Sequence, residues 1–98
     1  MENKVKAIMD AIQEAFPDAK IDYREQKFEL YKFRIYREML PCWIYFDWQY
    51  FLNHNEREII SQLRQSVFKK LVNNIVPKWL AVGDFGVKEV DENYSRGH

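Results

Sequence analysis

Apolar residues Val5, Ile8, Met9, Ile12, Ala15 and Phe16 recur at the three- and four-residue spacing of one helical face, while Glu2, Lys6, Asp10, Gln13 and Glu14 fall elsewhere. The spacing predicts an amphipathic helix up to about Phe16. Pro17 closes it, because proline lacks the amide hydrogen the ladder needs and bars its predecessor from helical backbone. From Ala19 the period falls to two, with Ile21 and Tyr23 opposite Asp22 and Arg24, and the polar run REQK at 24–27 is expected to turn the chain back. The next run, FELYKFRIYR, is rich in aromatic and β-branched residues that suit a pleated surface. Tyr31, Phe33 and Ile35 alternate there with Lys32, Arg34 and Tyr36. Phe28 and Leu30 are out of phase, which implies either a bulge near Leu30 or a strand that begins later.

The residues REML at 37–40 read as a turn, and Pro41 suits the start of a third strand in which Cys42, Ile44, Phe46 and Trp48 alternate with Trp43, Tyr45 and Asp47. Asn53 and Asn55 are both good helix caps with a glutamate three residues on, and the stripe Ile59, Ile60, Leu63, Val67 and Leu71 predicts a second helix over about 56–73. Lys69 and Lys70 complement the dipole of its last turn, and Asn73, Asn74 and Pro77 close it. The remainder, IVPKWLAVGDFGVKEV, has no clean period and reads as a bent extended segment or a fourth strand. DENYSRGH reads as a frayed polar tail.

The expected fold is therefore α+β in two layers: an antiparallel meander of three strands between two helices, both on one face, with a possible fourth C-terminal strand. Residues 1–90 form one domain and 91–98 the tail. The alternation assigns Ile21, Tyr23, Phe33, Ile35, Ile44, Phe46 and Trp48 to the helix side. It leaves Asp22, Arg24, Lys32, Arg34, Tyr36, Trp43, Tyr45 and Asp47 on the other. Tyr36, Trp43 and Tyr45 together expose more apolar area than a soluble monomer normally leaves in water. Three covers are open: the chain's own residues 75–90, a second copy of the chain, or a ligand or partner.

Composition narrows the function without naming it. Fifteen lysines and arginines balance fifteen acids, so no overall field draws the chain to polyanions, and any such binding has to come from a local patch. The single cysteine, Cys42, lies in an apolar run and reads as a small buried hydrophobe. The N-terminal stretch carries acids and lacks an apolar leader core, and no apolar run is long enough to span a bilayer, so a cytoplasmic protein away from membranes is expected.

Asp18 and the unit Glu25-Gln26-Lys27 are similar to the metal-binding pattern of restriction-endonuclease-like nucleases, which needs the Glu-x-Lys unit on a core strand beside the aspartate. Here the unit falls in an expected turn, so the charges read as a hairpin. His54 in NHNE has no second histidine before His98 and reads as an exposed helix-start residue, while Asp84-Phe85-Gly86 reads as a turn. The element order resembles that of double-stranded RNA-binding domains. That family's lysine pair opens its second helix, whereas Lys69 and Lys70 close this one, and the likeness is one of element order.

No catalytic residues, metal ligands or cofactor are expected. The reading is a small non-catalytic interaction module acting by protein–protein binding, self-associating as a homodimer or taking another protein. Its candidate surfaces are the sheet face with Lys32, Arg34, Tyr36, Trp43 and Tyr45, and the C-terminal segment with Trp79 and Phe85. The alternative is a nucleic-acid-binding domain using the aromatic and basic face, with rings on bases and Lys32 and Arg34 on phosphates. Short aromatic-rich chains without a catalytic signature are common among viral and mobile-element accessory proteins, an association that leaves partner and process open.

Overall fold

Helix α1 (Glu2–Ala15) leads into strands β1 (Lys20–Gln26), β2 (Leu30–Tyr36) and β3 (Cys42–Asp47) in a computed structural model that describes residues 2–37, 41–72 and 77–94. Two helices follow: the short α2 (Trp48–Asn53) and α3 over residues 56–72. Strands β4 (Lys78–Gly83) and β5 (Gly86–Val90) complete the chain. The α+β class is the one the periodicity predicts. The sheet, however, has five strands in the order β1-β2-β3-β4-β5, and β4 runs parallel to β3, so it is mixed and not a meander.

Each element has a local cause. Phe16 donates its amide to Ile12, beyond which Pro17 stops the ladder. The side-chain amide of Gln13 then reaches forward to the carbonyl oxygens of Phe16 (3.1 Å), Pro17 (3.1 Å) and Ala19 (2.8 Å), holding the turn that follows the helix. The first hairpin turns later than expected: Arg24, Glu25 and Gln26 stay in β1, and the turn is Lys27 to Glu29. Phe28 at its tip takes φ 67°, a left-handed backbone that costs a bulky residue about 1–2 kcal/mol, and its ring leans on Trp48 at 5.5 Å. The break in alternation at Phe28 and Leu30 thus marks a late strand start at Leu30.

Trp48 leaves the expected third strand to open α2, a helix that sequence periodicity misses. Its amide is held by the Glu29 carbonyl at 3.2 Å, and α2 turns Tyr50 and Phe51 inward. Asn55 caps α3 as predicted: its side chain accepts from the Glu58 amide (2.9 Å) while the Glu58 carboxylate accepts from the Asn55 amide (3.1 Å). Asn53 ends α2 and is not a cap. Ile59, Leu63, Val67 and Leu71 are spaced by four residues, a step that overruns a 3.6-residue turn. A wider π turn at Leu63–Val67 takes up the excess, and all four stay fully buried. Asn55→Ala should lower stability by about 1 kcal/mol, read as a shift of the urea midpoint; an unchanged midpoint would show that the cap is dispensable.

One core joins the layers. Ile8 and Ile12 of α1, Phe16 just after it, and the buried stripe of α3 meet Phe33, Ile35, Ile44, Phe46, Leu80 and Val82 of the sheet. Most of the aromatic stretch between 31 and 50 belongs here. Tyr31 stacks on Phe51 (4.0 Å) and Trp48 (4.7 Å), and Phe46 meets Phe33 edge-on at 5.6 Å. Cys42 is fully buried, as its apolar neighbours imply. Arg37 donates to the Leu71 carbonyl (2.8 Å) with its guanidinium over the Phe16 ring (4.7 Å), clamping α3 to α1. The turn expected at 37–40 lies, apart from Arg37, outside the described residues, as does the helix end expected at Asn73 and Asn74.

Candidate functional site

Residues 78–90 do not lie over the sheet face opposite the helices; they enlarge it. Register places Asp22, Arg34, Trp43, Trp79 and Val90 in one row across the five strands, and Arg24, Lys32, Tyr45, Ala81 and Lys88 in the next. Lys20 and Tyr36 pair at one end of the hairpin, and Leu30 faces Asp47 toward the other. Of the expected cover 75–90, residues 78–90 instead widen the face, and residues 75 and 76 lie outside the described residues. Trp79, expected in a separate C-terminal contact segment, stands beside Trp43.

The two tryptophans stack with centroids 4.8 Å apart and planes 7° from parallel, and both rings are half-buried. This is the central feature of the face. Tyr45 departs from its expected exposure: only 2% of it is accessible, beneath the Tyr94 ring at 5.7 Å. Residues 91–94 form a turn, closed by the Tyr94 amide on the Asp91 carbonyl, that returns Tyr94 to the sheet. Residues 95–98 lie outside the described residues. Phe85, at the tip of the β4–β5 turn, lays its ring over Gly83, where an added Cβ would sit 2.5 Å from it, and Lys88 caps that ring at 4.5 Å. The Asp84-Phe85 turn closes on Gly86 at φ 97°, a backbone glycine adopts without strain.

Charge divides the face into halves. Lys20, Arg24, Lys32 and Arg34 lie on β1 and β2, with Asp22 among them, and Lys88 lies on β5 with Asp47 on β3. Five cations thus oppose two carboxylates. Asp22 binds Arg34 at 3.1 Å in a pair almost half exposed, worth at most about 1 kcal/mol. Arg34 also spreads over the Tyr36 ring at 4.7 Å. Between the cationic hairpin and Trp43 runs a groove of about 350 Å³ lined by Asp22, Tyr23, Arg24, Lys32, Arg34 and Trp43.

Buried phenols make the sheet sensitive to alkali. Burial, with Glu25 and then Tyr31 adding to it, pushes the Tyr23 hydroxyl up to about 12, and burial also raises Tyr31, Tyr50 and Tyr94. A raised folded value means that the neutral phenol is the form the fold holds. Its stabilisation is complete below pH 10 and drains away as pH rises toward about 12. Alkaline titration should therefore show phenolate absorbance rising together with loss of circular dichroism, and Tyr23→Phe should move that transition to higher pH. Ionisation of all six tyrosines near pH 10 in a chain that stays folded would contradict this.

A second concavity, of about 340 Å³, lies at the end of the sheet between α2, α3 and the β4–β5 turn. His54 is not the exposed residue its context implies. Its ring packs on Tyr50 at 4.3 Å, with Nδ1 3.4 Å from Glu58 and Nε2 3.4 Å from Asp84. The Asn55 amide, and then His54, hold the Glu58 carboxyl below its ordinary value. The four-residue steps Tyr50, His54, Glu58 hinted at this cluster, whereas nothing local pointed to Asp84. It bridges α3 to the β4–β5 turn.

The nuclease-like pattern does not assemble. Asp18 precedes β1 and Glu25 is near the far end of the same edge strand, roughly 20 Å away at the rise of an extended chain. Among the described residues no three histidine, cysteine or acidic side chains cluster to hold a metal ion, and no helix is long and apolar enough to cross a membrane. No protein-family model, no curated protein and no solved structure matches this chain.

Proposed function

We propose that this chain is a non-catalytic interaction domain, cytoplasmic, whose helix-free sheet face is the binding surface. The observation that carries this reading is the Trp43–Trp79 stack, set in the middle of that face and flanked by cations. Tryptophan, tyrosine and arginine are the residues that dominate binding surfaces, because each brings a large contact area and a polar handle at small entropic cost. A sheet whose core with the three helices draws on one set of alternate side chains leaves the other set for a partner. Self-association through this face is disfavoured by its charge, since two copies set face to face would oppose five cations to five.

Capture of cellular material on the immobilised chain tests the reading through a comparison of variants. Lys20→Glu with Arg24→Glu, both exposed, should abolish retention of what the wild-type chain holds, while Lys69→Glu on the exposed side of α3 should leave it unchanged. The reverse pattern would place the working surface among the helices. Sedimentation over a range of concentrations separates the homodimer: a dimer that survives high salt and is lost in Trp43→Leu would put a second copy on the face.

A further inference from the structure

We infer that the occupant of the open face is a single-stranded nucleic acid, with its phosphates on the β1–β2 cations and a base against Trp43. This inference rests on the binding reading above and names the partner class. Its first support is where the charge lies. The chain is neutral overall, with fifteen bases and fifteen acids, yet the face carries five cations against two carboxylates. Asp22 is engaged by Arg34, and the other acid, Asp47, stands at the end of β3 opposite Leu30, four residues along the strand from Trp43. A neutral protein with a cationic face carries the matching acidic excess elsewhere, so a polyanion is drawn to this side and repelled from the rest.

The second support is the neighbourhood of rings and cations. The groove of about 350 Å³ is lined by Trp43 together with Arg24, Lys32 and Arg34, and by Asp22, which Arg34 holds. That volume is at the small end of pockets that take a nucleotide-sized group. Trp79 backs the Trp43 ring at 4.8 Å and fixes its plane, so a base stacks there without first ordering a mobile side chain. Along β1, Lys20 and Arg24 stand about 13 Å apart on one face, two phosphate steps of an extended strand, and Asp22 between them is held by Arg34.

The same features discriminate among polyanions. A duplex has its bases already stacked on one another and offers Trp43 no open face. An acidic protein segment matches the charge but brings no succession of planar rings for the groove. Lys32 and Arg34 supply charge to phosphates and Trp43 a ring that any base can stack on, so recognition is expected to tolerate changes of sequence.

The test titrates the full chain with a labelled mixed-sequence single-stranded oligonucleotide, its duplex, and polyglutamate as a polyanion without rings, following anisotropy and tryptophan emission. Binding of the single strand should quench tryptophan and weaken about twentyfold between 50 and 200 mM salt, the loss produced by three phosphate contacts. Lys20→Glu with Arg24→Glu should weaken it at least about tenfold and flatten the salt dependence. Trp43→Leu should weaken it by about tenfold with the salt dependence unchanged, which a merely unfolded chain would not show. Duplex and polyglutamate should bind at least about tenfold more weakly than the single strand.

Absence of single-strand binding at 50 mM salt overturns the inference. Polyglutamate held as tightly as the oligonucleotide, and lost with Lys20→Glu and Arg24→Glu, overturns it too while leaving the face as the binding surface for an acidic protein. Oligonucleotide binding that ignores both the charge reversals and Trp43→Leu overturns the inference and the binding-face reading together.

Discussion

Phe51→Ala is expected to destabilise the domain by about 3–5 kcal/mol, the largest loss at any single position considered. Phe51 is fully buried at the junction of α2 with the sheet, 4.0 Å from the Tyr31 ring, 5.6 Å from Phe46 and 6.5 Å from Phe33. Truncation removes the ring that these neighbours enclose, and strands cannot move to fill the gap without breaking register, so most of the cavity stays. Against a total of about 5–15 kcal/mol for a natural domain, such a loss takes a third or more of the stability. Urea unfolding should show a large fall in midpoint, and Phe51→Leu, which keeps much of the volume, should recover part of it. A loss below about 1 kcal/mol would mean that α2 is not anchored through this ring.

Lys4→Met is expected to cost about 2 kcal/mol, close to the contribution of a charge-assisted hydrogen bond that is only partly shielded. The Lys4 ammonium donates to the carbonyl oxygens of Phe51 (2.6 Å) and His54 (2.5 Å), and lies 5.1 Å from the centre of the Phe51 ring. Both acceptors stand at the C-terminal end of α2, where unpaired carbonyls and the negative end of the helix dipole attract a cation. Methionine keeps the apolar stem and removes the charge, so the change reports on the ammonium alone. Amide exchange in α2 should quicken more than exchange in α1. Equal acceleration in both would show that Lys4 stabilises its own helix and not the second one.

Elements whose cause is local could be read from the chain. Pro17 stops α1 through its own missing hydrogen, the Asn55 and Glu58 pair caps α3 within one turn, and the alternation in LYKFRIY identifies β2 with the correct inward set. Asp84-Phe85-Gly86 is the turn its composition implies. What escaped depends on partners far along the chain. WQYFL after Asp47 suits either period, and only its packing on Tyr31 and the Glu29 carbonyl makes it helical. The mixed pattern of 78–90 gives no sign of which strand it will join, so its parallel pairing with β3 was out of reach.

The candidate face was legible to the same depth. Alternation in β2 and β3 correctly separates Lys32, Arg34, Tyr36 and Trp43 from the core set. It carries no information about Trp79, which reaches Trp43 only through the crossover, or about Tyr94, which buries Tyr45. Counting the face from three strands gave three cations against two acids. Lys20 at the strand start and Lys88 on the fifth strand change that balance once the whole sheet is known.

The parallel pair at the middle of the sheet also governs how the chain comes to be folded. Ile44 pairs with Leu80, so the centre of the sheet is sealed between segments separated by the whole helical region. On the ribosome everything through α3 emerges before β4 exists, and β3 meanwhile stands as a bare edge with open backbone groups and Trp43 unsheltered. The last two strands act as a clasp. A chain cut after residue 72 keeps most of the core residues yet presents that edge to other copies, and should aggregate where the full chain does not. Completion waits on closure of a long loop before any pairing rewards it, which makes this domain a slower folder than a helical one of its length.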